Sequence, residues 1–450
     1  MRPFLASLAF GGASVAAIGA TSWYLTHNPG IRPQTQEEHW RVCHVSIVHR
    51  HGDRTPISTV PGLLDKVDEQ TTFWESKMAS ESVAEDLSRA FPVSSSMSPE
   101  QLRKHDAQRA PYGQLTNEGL WQLREIGRRL RERYVEQLGL LPAELDGTSG
   151  AAIRIRSTHL RRCILSTQSL LDGLYPGSLR EEGVVHVHVP PPLSESQFVI
   201  DCQRYRHLHR TLAVQATAPD HSKQAHQALV DTIRDALALD EEHHISLAAV
   251  REVAHCYLSH GVPLPEPLRD LHPHLSHAAA EAWAAPYKDP EVIRLGIGRF
   301  LADLLDELVL AAAHAHGGRL RVHSNSPLRL PKHSTTRDYM QWRGLLDAHN
   351  RPQRDAAKLA VFSGHDTTLV PLLAALRVFD GLWPEYGAHV ELQLLQDEST
   401  DQLAVRVLYM GRLMKQVPLD ELVETLWRLV PESYHDECNM GREKTTDSPS

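Results

Sequence analysis

The chain has 450 residues, and its 47 Lys and Arg against 56 Asp and Glu give a formal net charge of −9 at pH 7. This acidic balance, without a concentrated basic stripe, excludes a nucleic-acid-binding protein, which needs cations along a groove. With 41% apolar residues, the chain is globular rather than disordered, and its length fits one large α/β unit with an inserted cap.

An apolar segment opens the chain. No charged residue lies between Pro3 and Ile31, and about 20 apolar residues cross a bilayer as a helix. Residues 1–31 are therefore predicted to be a hydrophobic anchor or targeting segment, with membrane contact through residues 4–25. A mitochondrial targeting segment, a type II anchor in an endomembrane lumen and a secretion signal all fit this pattern. The absence of Asn-x-Ser/Thr sequons favours the mitochondrial address.

The first predicted strand delivers a polar loop. Val42 to Val48 is an apolar, β-branched run that ends in Arg50-His51-Gly52-Asp53-Arg54-Thr55-Pro56, which predicts a buried strand followed by a loop. Residues 57–112 have weak periodicity and are predicted to be an insertion between core elements.

Strand and helix then alternate. Thr116 is predicted to cap a helix whose apolar residues recur at spacings of three and four. Ile153 to Arg156 is predicted to be a strand, followed by a helix from about His159 to Leu174, and Val184 to Val189 is a third strand candidate. The apolar residues of the capped helix are Leu120, Leu123, Ile126, Leu130 and Tyr134.

The second half adds a helical region and more strands. The pattern from Ser222 to His314 is helical, so residues 193–316 are predicted to form a helical cap, and the polar residues 317–357 a further insertion. The remaining predicted elements are the strand Leu359–Phe362, the loop Ser363–Asp366, the helix Thr367–Leu376, the strands Val390–Leu395 and Leu403–Tyr409, the helix Leu419–Leu429 and a polar tail over 441–450.

This alternation predicts the α/β fold class, with a mixed, mostly parallel sheet flanked by helices and an inserted helical cap. In such sheets, ligands bind at the carboxyl ends of the strands. The loop that begins at Arg50 and the loop that ends at Asp366 both leave strands at such ends, so we expect the chemistry there.

The loop after the first strand has the chemistry of a phosphate site. His51 lies between Arg50 and Arg54, an arrangement that is electrostatically costly unless an anion binds among them. Guanidinium groups bind phosphate oxygens in bidentate fashion, and the ring of His51 is a candidate nucleophile that would form a phosphohistidine. The alternative is a surface loop with incidental charges.

Two later segments supply the missing roles. Arg162 lies one turn inside the helix after the second strand and points towards the same strand ends as a third phosphate ligand, the alternative being a solvated arginine. His365 offers a donor to a phosphate oxygen, and Asp366 a carboxyl that protonates the leaving alkoxide. Together these residues provide the nucleophile, the anion ligands and the acid that phosphoryl transfer requires.

The motifs occur in the order found in a known family. Arg50–Pro56, Gly113–Thr116, Arg156–Arg162 and Ser363–Thr368 closely resemble the histidine acid phosphatases, over residues 42–438. The runs Arg377–Pro384 and Pro431–Cys438 resemble the lysophosphatidic acid phosphatase type 6 branch of that family.

The resemblance implies a histidine acid phosphatase domain over residues 40–440 that needs neither a metal nor an organic cofactor. It implies that His51 is the phosphorylated nucleophile and Asp366 the proton donor, and that a disulfide joins Cys202 to Cys438. Arg50, Arg54, Arg162 and His365 would bind the phosphate. The remaining cysteines, Cys43, Cys163 and Cys256, are predicted to be buried small apolar residues.

The predicted function is hydrolysis of a phosphate monoester through a phosphohistidine, with lysophosphatidic acid as the substrate and monoacylglycerol and phosphate as the products. The partner is thus a small-molecule or lipid phosphate monoester, and the sequence indicates no oligomeric state. The alternatives are a Golgi-type sugar phosphate phosphatase, a mutase that uses a related Arg-His-Gly loop, and a catalytically silent phosphate-binding protein on the same fold.

Overall fold

The computed structural model describes residues 39–57, 60, 62–63, 67–98, 100–102, 109–199, 201–216, 220–316, 336–347 and 351–439. The predicted N-terminal segment 1–31 and the predicted tail 441–450 lie outside these residues. Within the described part of the chain, no helix is long and apolar enough to cross a membrane.

Eight strands form one sheet in the order β2-β4-β3-β5-β1-β6-β7-β8. The five strands from β2 to β1 run parallel, and β6, β7 and β8 add an antiparallel edge. This is the predicted mixed, mostly parallel sheet. The strands are β1 (Trp40–Arg50), β2 (Val93–Ser95), β3 (Ile153–Ser157), β4 (Val187–Val189), β5 (Leu359–Gly364), β6 (His389–Asp397), β7 (Leu403–Tyr409) and β8 (Arg412–Pro418).

The helices of the described residues are α1 (Val67–Lys77), α2 (Glu81–Ala90), α3 (Asn117–Arg131), α4 (Arg161–Leu174), α5 (Gln203–Ala216), α6 (Asp220–Ala236), α7 (Leu247–Ser259), α8 (Glu266–Ala284), α9 (Pro290–Ala315), α10 (Thr336–Trp342), α11 (Asp366–Ala375), α12 (Leu419–Trp427) and α13 (Tyr434–Cys438). A π-helical turn, Glu132–Gln137, continues α3. The predicted N-cap of α3 is present, because the Thr116 hydroxyl accepts a hydrogen bond from the Gly119 N–H (3.1 Å).

The register of the three central strands brings their carboxyl ends together. Arg50 at the end of β1 pairs with Gly364 of β5, and Ser157 at the end of β3 pairs with Ser363 of β5. Because the strands are parallel, the loops that follow them emerge side by side at one edge of the sheet.

Helices cover both faces of the sheet. Helices α3 and α4 cover one face, where the buried core includes Leu123 and Leu170. Helices α9, α11 and α12 cover the other face, and Phe300 of α9 packs edge-on against Phe362 of β5. Apolar burial on both sides explains why β1 and β5 read as continuous apolar runs rather than as alternating ones.

The cap has its own core. Helices α6, α7 and α8 pack around Ile233, Val253 and Leu275, and Trp74 of α1 joins them. The long helix α9 lies within the predicted cap range 193–316 but packs against the sheet. Its apolar residues are buried on all sides, so sequence periodicity alone does not distinguish it from a cap helix.

Two predicted insertions also contribute to the sheet layers. Residues 57–112 contain β2, which pairs with β4 at the sheet edge, and residues 317–357 contain α10, whose Tyr339 and Met340 are fully buried. These elements are too short to produce a clear hydrophobic period. The edge strand β8 was also missed, because its residues are mostly exposed.

A disulfide joins the residue before α5 to the C-terminal helix. Cys202 and Cys438 are bonded, with 4.7 Å between their Cα atoms, and they pack with Leu295 of α9. Of the other cysteines, Cys163 and Cys256 are buried as predicted, whereas Cys43 is partly exposed.

Candidate active site

The loops at the carboxyl ends of β1, β3 and β5 meet at a cleft of about 540 Å³. Five of the six predicted catalytic and phosphate-binding residues line it, and the sixth, Arg50, contacts the lining residue Asp366. The structure therefore brings together residues that are more than 300 positions apart in the sequence. The five lining residues are His51, Arg54, Arg162, His365 and Asp366.

The ring of His51 is held in one tautomer. Its Nδ1 lies 2.8 Å from the Gly52 carbonyl oxygen, and because a carbonyl only accepts, Nδ1 carries the proton. Nε2 is therefore left with a lone pair. Burial, followed by the charges of Arg162, Arg50 and Arg54, holds the pKa of His51 well below its usual range, so the ring stays neutral in acidic solution.

Close backbone contact fixes the loop that carries His51. A Cβ at Gly52 would lie 2.4 Å from the Gly119 carbonyl oxygen of α3, closer than any side chain tolerates. The Gly52 N–H donates to the Ser166 hydroxyl of α4 (3.0 Å), and the His51 N–H donates to the Gly364 carbonyl (3.1 Å). The loop is thus held by both helices of one sheet face and by β5.

Arg50 and Arg54 share a partner residue, Tyr386. The Arg50 guanidinium lies 4.4 Å from the centre of the Tyr386 ring, and that of Arg54 lies 5.7 Å from it. Arg54 also forms an ion pair with Glu252 of α7. In the described part of the chain, the buried Nε atoms of Arg50 and Arg54 have no hydrogen-bond partner, a cost that a bound anion would offset.

Arg162 and His365 face His51 across the cleft. An Arg162 Nη1–H donates to the Gly113 carbonyl (3.4 Å). The His365 ring lies edge-on to that of His51, with 5.5 Å between their centres, and its Nε2 is 3.2 Å from the Thr158 hydroxyl. Burial, followed by the charge of Arg162, lowers the pKa of His365 far below its usual value, so this ring is neutral as well.

Asp366 is the first residue of α11, and its side chain is ionised. Burial raises its pKa, but the charges of Arg50 and Arg54 outweigh burial and lower the pKa to about 2. An Arg50 Nη2 lies 2.9 Å from Oδ2, and the Thr367 N–H donates to Oδ1 (2.8 Å). Without an anion in the pocket, this carboxyl carries no proton at neutral or mildly acidic pH.

One segment that sequence reasoning gave no role supports the whole site. The Trp383 indole N–H donates to Asp366 Oδ2 (3.3 Å), and the Pro384 carbonyl accepts from Arg50 (2.6 Å). The ring of Tyr386 contacts the guanidinium groups of Arg50 and Arg54. Gly387, at φ +71°, donates its N–H to the His51 carbonyl (3.1 Å). The only sequence signal was the resemblance of residues 377–384 to one family branch.

The outer part of the cleft is apolar. Of the described residues that line it, the only arginines are Arg54 and Arg162, and no lysine is among them. The apolar wall comes from the loop before α5, from α5, from α8 and the turn that follows it, from α9, and from the loop between α11 and β6. It consists of Phe198, Val199, Tyr205, Trp283, Tyr287, Ile297 and Trp383.

The chain is similar in sequence to known phosphatases. The profile of the Histidine phosphatase superfamily (branch 2) matches residues 41–246 and 299–410. Lysophosphatidic acid phosphatase type 6 of Homo sapiens is 23% identical, over 88% of this chain and 86% of that protein. Lysosomal acid phosphatase of Pongo abelii is also 23% identical, over 91% and 82%.

The fold is shared with solved phytases. The Citrobacter braakii enzyme superposes with a TM-score of 0.53 at 14% identity, over 89% of this chain and 100% of that one. For the apo form of Hafnia alvei phytase, the TM-score is 0.51 at 13% identity, over 90% and 100%. In the described residues, no group of three or more His, Cys, Asp or Glu side chains is placed to hold a metal ion.

Proposed function

Since the chain belongs to branch 2 of the histidine phosphatase superfamily, we propose that it hydrolyses lysophosphatidic acid to monoacylglycerol and phosphate through a phosphohistidine on His51. The chain is a phosphoric monoester hydrolase of the acid phosphatase type. The assignments of the substrate and of the catalytic residues are the proposal.

In the first step, Nε2 of His51 attacks phosphorus. The new N–P bond forms as the P–O bond to the alcohol breaks, and Asp366 gives its proton to the departing alkoxide. Arg50, Arg54 and Arg162, together with His365, bind the phosphoryl oxygens and stabilise the charge that spreads over them in the transition state.

In the second step, water hydrolyses the phosphohistidine. Asp366, now a carboxylate, takes a proton from the water as its oxygen attacks phosphorus, and the N–P bond breaks. His51 regains its lone pair, Asp366 regains its proton, and phosphate leaves.

The proton on Asp366 requires an explanation, because Arg50 and Arg54 lower its pKa to about 2 in the unliganded site. A bound phosphate engages these guanidinium groups and adds negative charge beside the carboxyl, and both effects raise the pKa of Asp366. A monoester loses its second proton near pH 6, so a monoanion that binds in acid can supply the proton. We therefore expect higher activity at acidic than at alkaline pH.

The observation that carries the lipid substrate is the apolar wall that continues directly from the phosphate pocket. Phe198, Trp283 and Ile297 line the same cleft as His51. Each buried methylene of an acyl chain gains about 0.8 kcal/mol, so this wall favours a monoester with a long apolar chain. The similarity to lysophosphatidic acid phosphatase type 6 over 88% of the chain supports the same substrate.

A highly phosphorylated substrate fits this cleft poorly. Each additional phosphate would need its own cations, yet among the described lining residues the cleft offers only Arg54 and Arg162, and Glu252 adds a negative charge. A sugar phosphate would bury less apolar surface against the wall than an acyl chain does. Residues 4–25, through contact with a membrane, would bring the enzyme to a lipid substrate.

The test compares kcat/KM for two substrates and then measures the effect of a substitution in the apolar wall. Wild-type protein should hydrolyse oleoyl lysophosphatidic acid, below its micelle concentration, with a kcat/KM about tenfold or more above that for glycerol 3-phosphate. Val199→Glu, which places a charge in the partly buried wall, should lower the lysophosphatidic acid value about tenfold and change the glycerol 3-phosphate value less than twofold.

Val83→Glu is the matched control, because Val83 is 42% exposed on α2 and does not line the cleft; it should behave as wild type. Equal rates on both substrates in wild type, or equal losses on both in Val199→Glu, would refute the lipid assignment. Faster hydrolysis of glucose 6-phosphate would favour the sugar phosphate alternative, and no turnover of any monoester would favour the silent-binding one.

A further inference from the structure

The indole of Trp383 lies where the phosphate pocket meets the apolar wall. Its Nε1–H donates to Asp366 Oδ2 (3.3 Å), and its ring lines the cleft. We propose that Trp383 is a positioning residue, which holds the Asp366 carboxyl in line with the oxygen of the leaving alcohol. This inference rests on the role of Asp366 in the proposed function.

Trp383 differs from the other donors to this carboxyl. Arg50 also bonds Oδ2 (2.9 Å), but in the proposed mechanism its guanidinium also binds the phosphoryl oxygens. The Thr367 N–H bonds Oδ1 (2.8 Å) and belongs to the same helical turn as Asp366. Because an indole N–H only donates, it keeps its bond to Oδ2 in both protonation states. Trp383 therefore fixes the rotation of the carboxyl from outside its own element.

The ring of Trp383 is itself held in place. The Arg251 guanidinium of α7 lies 5.2 Å from the ring centre and is only 1% exposed. Its Nη2 lies 3.2 Å from a carboxylate oxygen of Glu385. On the wall side, the Trp283 ring centre lies 6.0 Å away. A cation over the face of an indole ring is attracted to it. The contacts with Arg251 and Trp283 therefore both restrict the orientation of the Trp383 ring.

The other groups that face Asp366 stay in place when Trp383 is changed. They are Arg50 at the end of β1, Arg54 in the following loop, His365 beside Asp366, and Tyr287 in the turn after α8. A change in the behaviour of Asp366 in a Trp383 variant therefore reports the lost indole N–H.

The test uses the two tryptophans as a matched pair. Trp383→Phe keeps an aromatic ring and removes the donor to Asp366. Trp283→Phe makes the same change on the same wall, where in the described part of the chain the Trp283 Nε1 has no hydrogen-bond partner. Each variant is assayed on glycerol 3-phosphate, whose alkoxide must be protonated, and on p-nitrophenyl phosphate, whose phenolate leaves without a proton.

We expect Trp383→Phe to lower kcat/KM, which reports only the steps up to formation of the phosphohistidine, about tenfold for glycerol 3-phosphate and less than twofold for p-nitrophenyl phosphate. Trp283→Phe should leave the ratio of the two kcat/KM values as in wild type. Equal losses on both substrates in Trp383→Phe, or a shifted ratio in Trp283→Phe, would overturn the proposal.

The pH profile gives a second readout. A donor to a carboxylate favours its charged form, so loss of the indole N–H raises the pKa of Asp366. The alkaline limb of kcat for glycerol 3-phosphate, where the proton donor loses its proton, should move up by about one pH unit in Trp383→Phe. An unmoved limb would also overturn the proposal.

Asp366→Asn separates this inference from the proposed function. If this variant leaves the ratio of the two kcat/KM values unchanged, Asp366 is not the proton donor and the proposed mechanism fails. If it lowers the ratio while Trp383→Phe does not, only the role of Trp383 fails. Trp383→Leu, which also lacks the donor, replaces Trp383→Phe if that variant does not fold, and the same outcomes apply to it.

Discussion

The phosphate pocket and the apolar wall of the cleft are built in different ways. The pocket comes from loops at the ends of β1 and β5 and from the first turn of α4, all fixed to the sheet. The wall comes from α5, α8, α9 and their connections, including Phe198 and Trp283. Under the proposed function, the loops fixed to the sheet carry out the reaction, and the helices of the wall select the alcohol that is attached to the phosphate.

The most severe test of this division is His51→Ala. Because His51 is the proposed nucleophile, the loss should exceed about four orders of magnitude in kcat on every monoester, whatever its alcohol. Phosphate release from lysophosphatidic acid and from p-nitrophenyl phosphate measures it, and an alkaline quench should trap an acid-labile phosphoprotein only in wild type.

His188→Ala is the control, since this histidine is exposed on β4, away from the cleft, and its removal should not affect turnover. If His51→Ala kept a tenth of the activity on either substrate, the pocket would not supply the nucleophile.

The pocket was largely predictable because each of its residues lies next to a recognisable strand. Arg50 to Arg54 follow an apolar run, as do His365 and Asp366. The parallel register of β1 and β5 then places the two loops side by side. Arg162 needed only the helical period. These are local patterns, which a single sequence records.

The wall and the support behind the pocket were not predictable in this way. Tyr205, Trp283 and Ile297 lie on three helices that meet only in three dimensions, and an aromatic residue on a helix looks the same whether it lines a cleft or fills a core. Glu252 pairs with Arg54 across about 200 positions, and no periodicity links them. The same limit applies to β2 and α10, which are too short to be distinguished from loops.

The pocket should also make the protein sensitive to acid. Burial lowers the pKa of His49 to about 4, and the pKa values of His51 and His365 lie far below their usual range. Below about pH 6.5, these groups take up protons in the unfolded chain and not in the folded one, so stability falls with pH. Asp366, with its pKa lowered to about 2, keeps its contribution above about pH 5 and loses it progressively at lower pH.

We therefore expect the free energy of unfolding to fall by about 3 kcal/mol between pH 6.5 and pH 5. Urea titrations at the two pH values measure it. Inorganic phosphate should restore part of the loss because it binds only the folded pocket, whereas chloride at equal ionic strength should not. Equal stability at both pH values would contradict the burial of neutral histidines in the pocket.

A smaller effect is expected from Arg162→Ala. Arg162 is one of several phosphate ligands, so kcat/KM should fall about a hundredfold for each monoester, with no preference for the alcohol. Steady-state kinetics on lysophosphatidic acid and glycerol 3-phosphate measure this fall.

Arg161→Ala is the matched control, because the neighbouring arginine forms an ion pair with Glu81 and does not line the cleft. It should match wild type on both substrates. A loss in Arg162→Ala confined to the lipid would instead place Arg162 in the wall.

The smallest effect should come from the disulfide, which acts on the wall alone. Cys202 precedes α5, whose Tyr205 lines the cleft, and Cys202 and Cys438 pack against Leu295 of α9. Removing the bond by changing both cysteines to Ser should lower the free energy of unfolding by about 2 kcal/mol. It should raise KM for lysophosphatidic acid about twofold, because the disulfide no longer connects α5 to the residues that pack on α9. The kinetics on glycerol 3-phosphate should be unchanged, because in the described part of the chain no residue of the phosphate pocket contacts the disulfide.

Cys43→Ser, a change at a free thiol on β1, controls for loss of sulfur. An equal change in KM for both substrates would show that the pocket and the wall are mechanically coupled, and the separation between reaction and substrate choice would not hold.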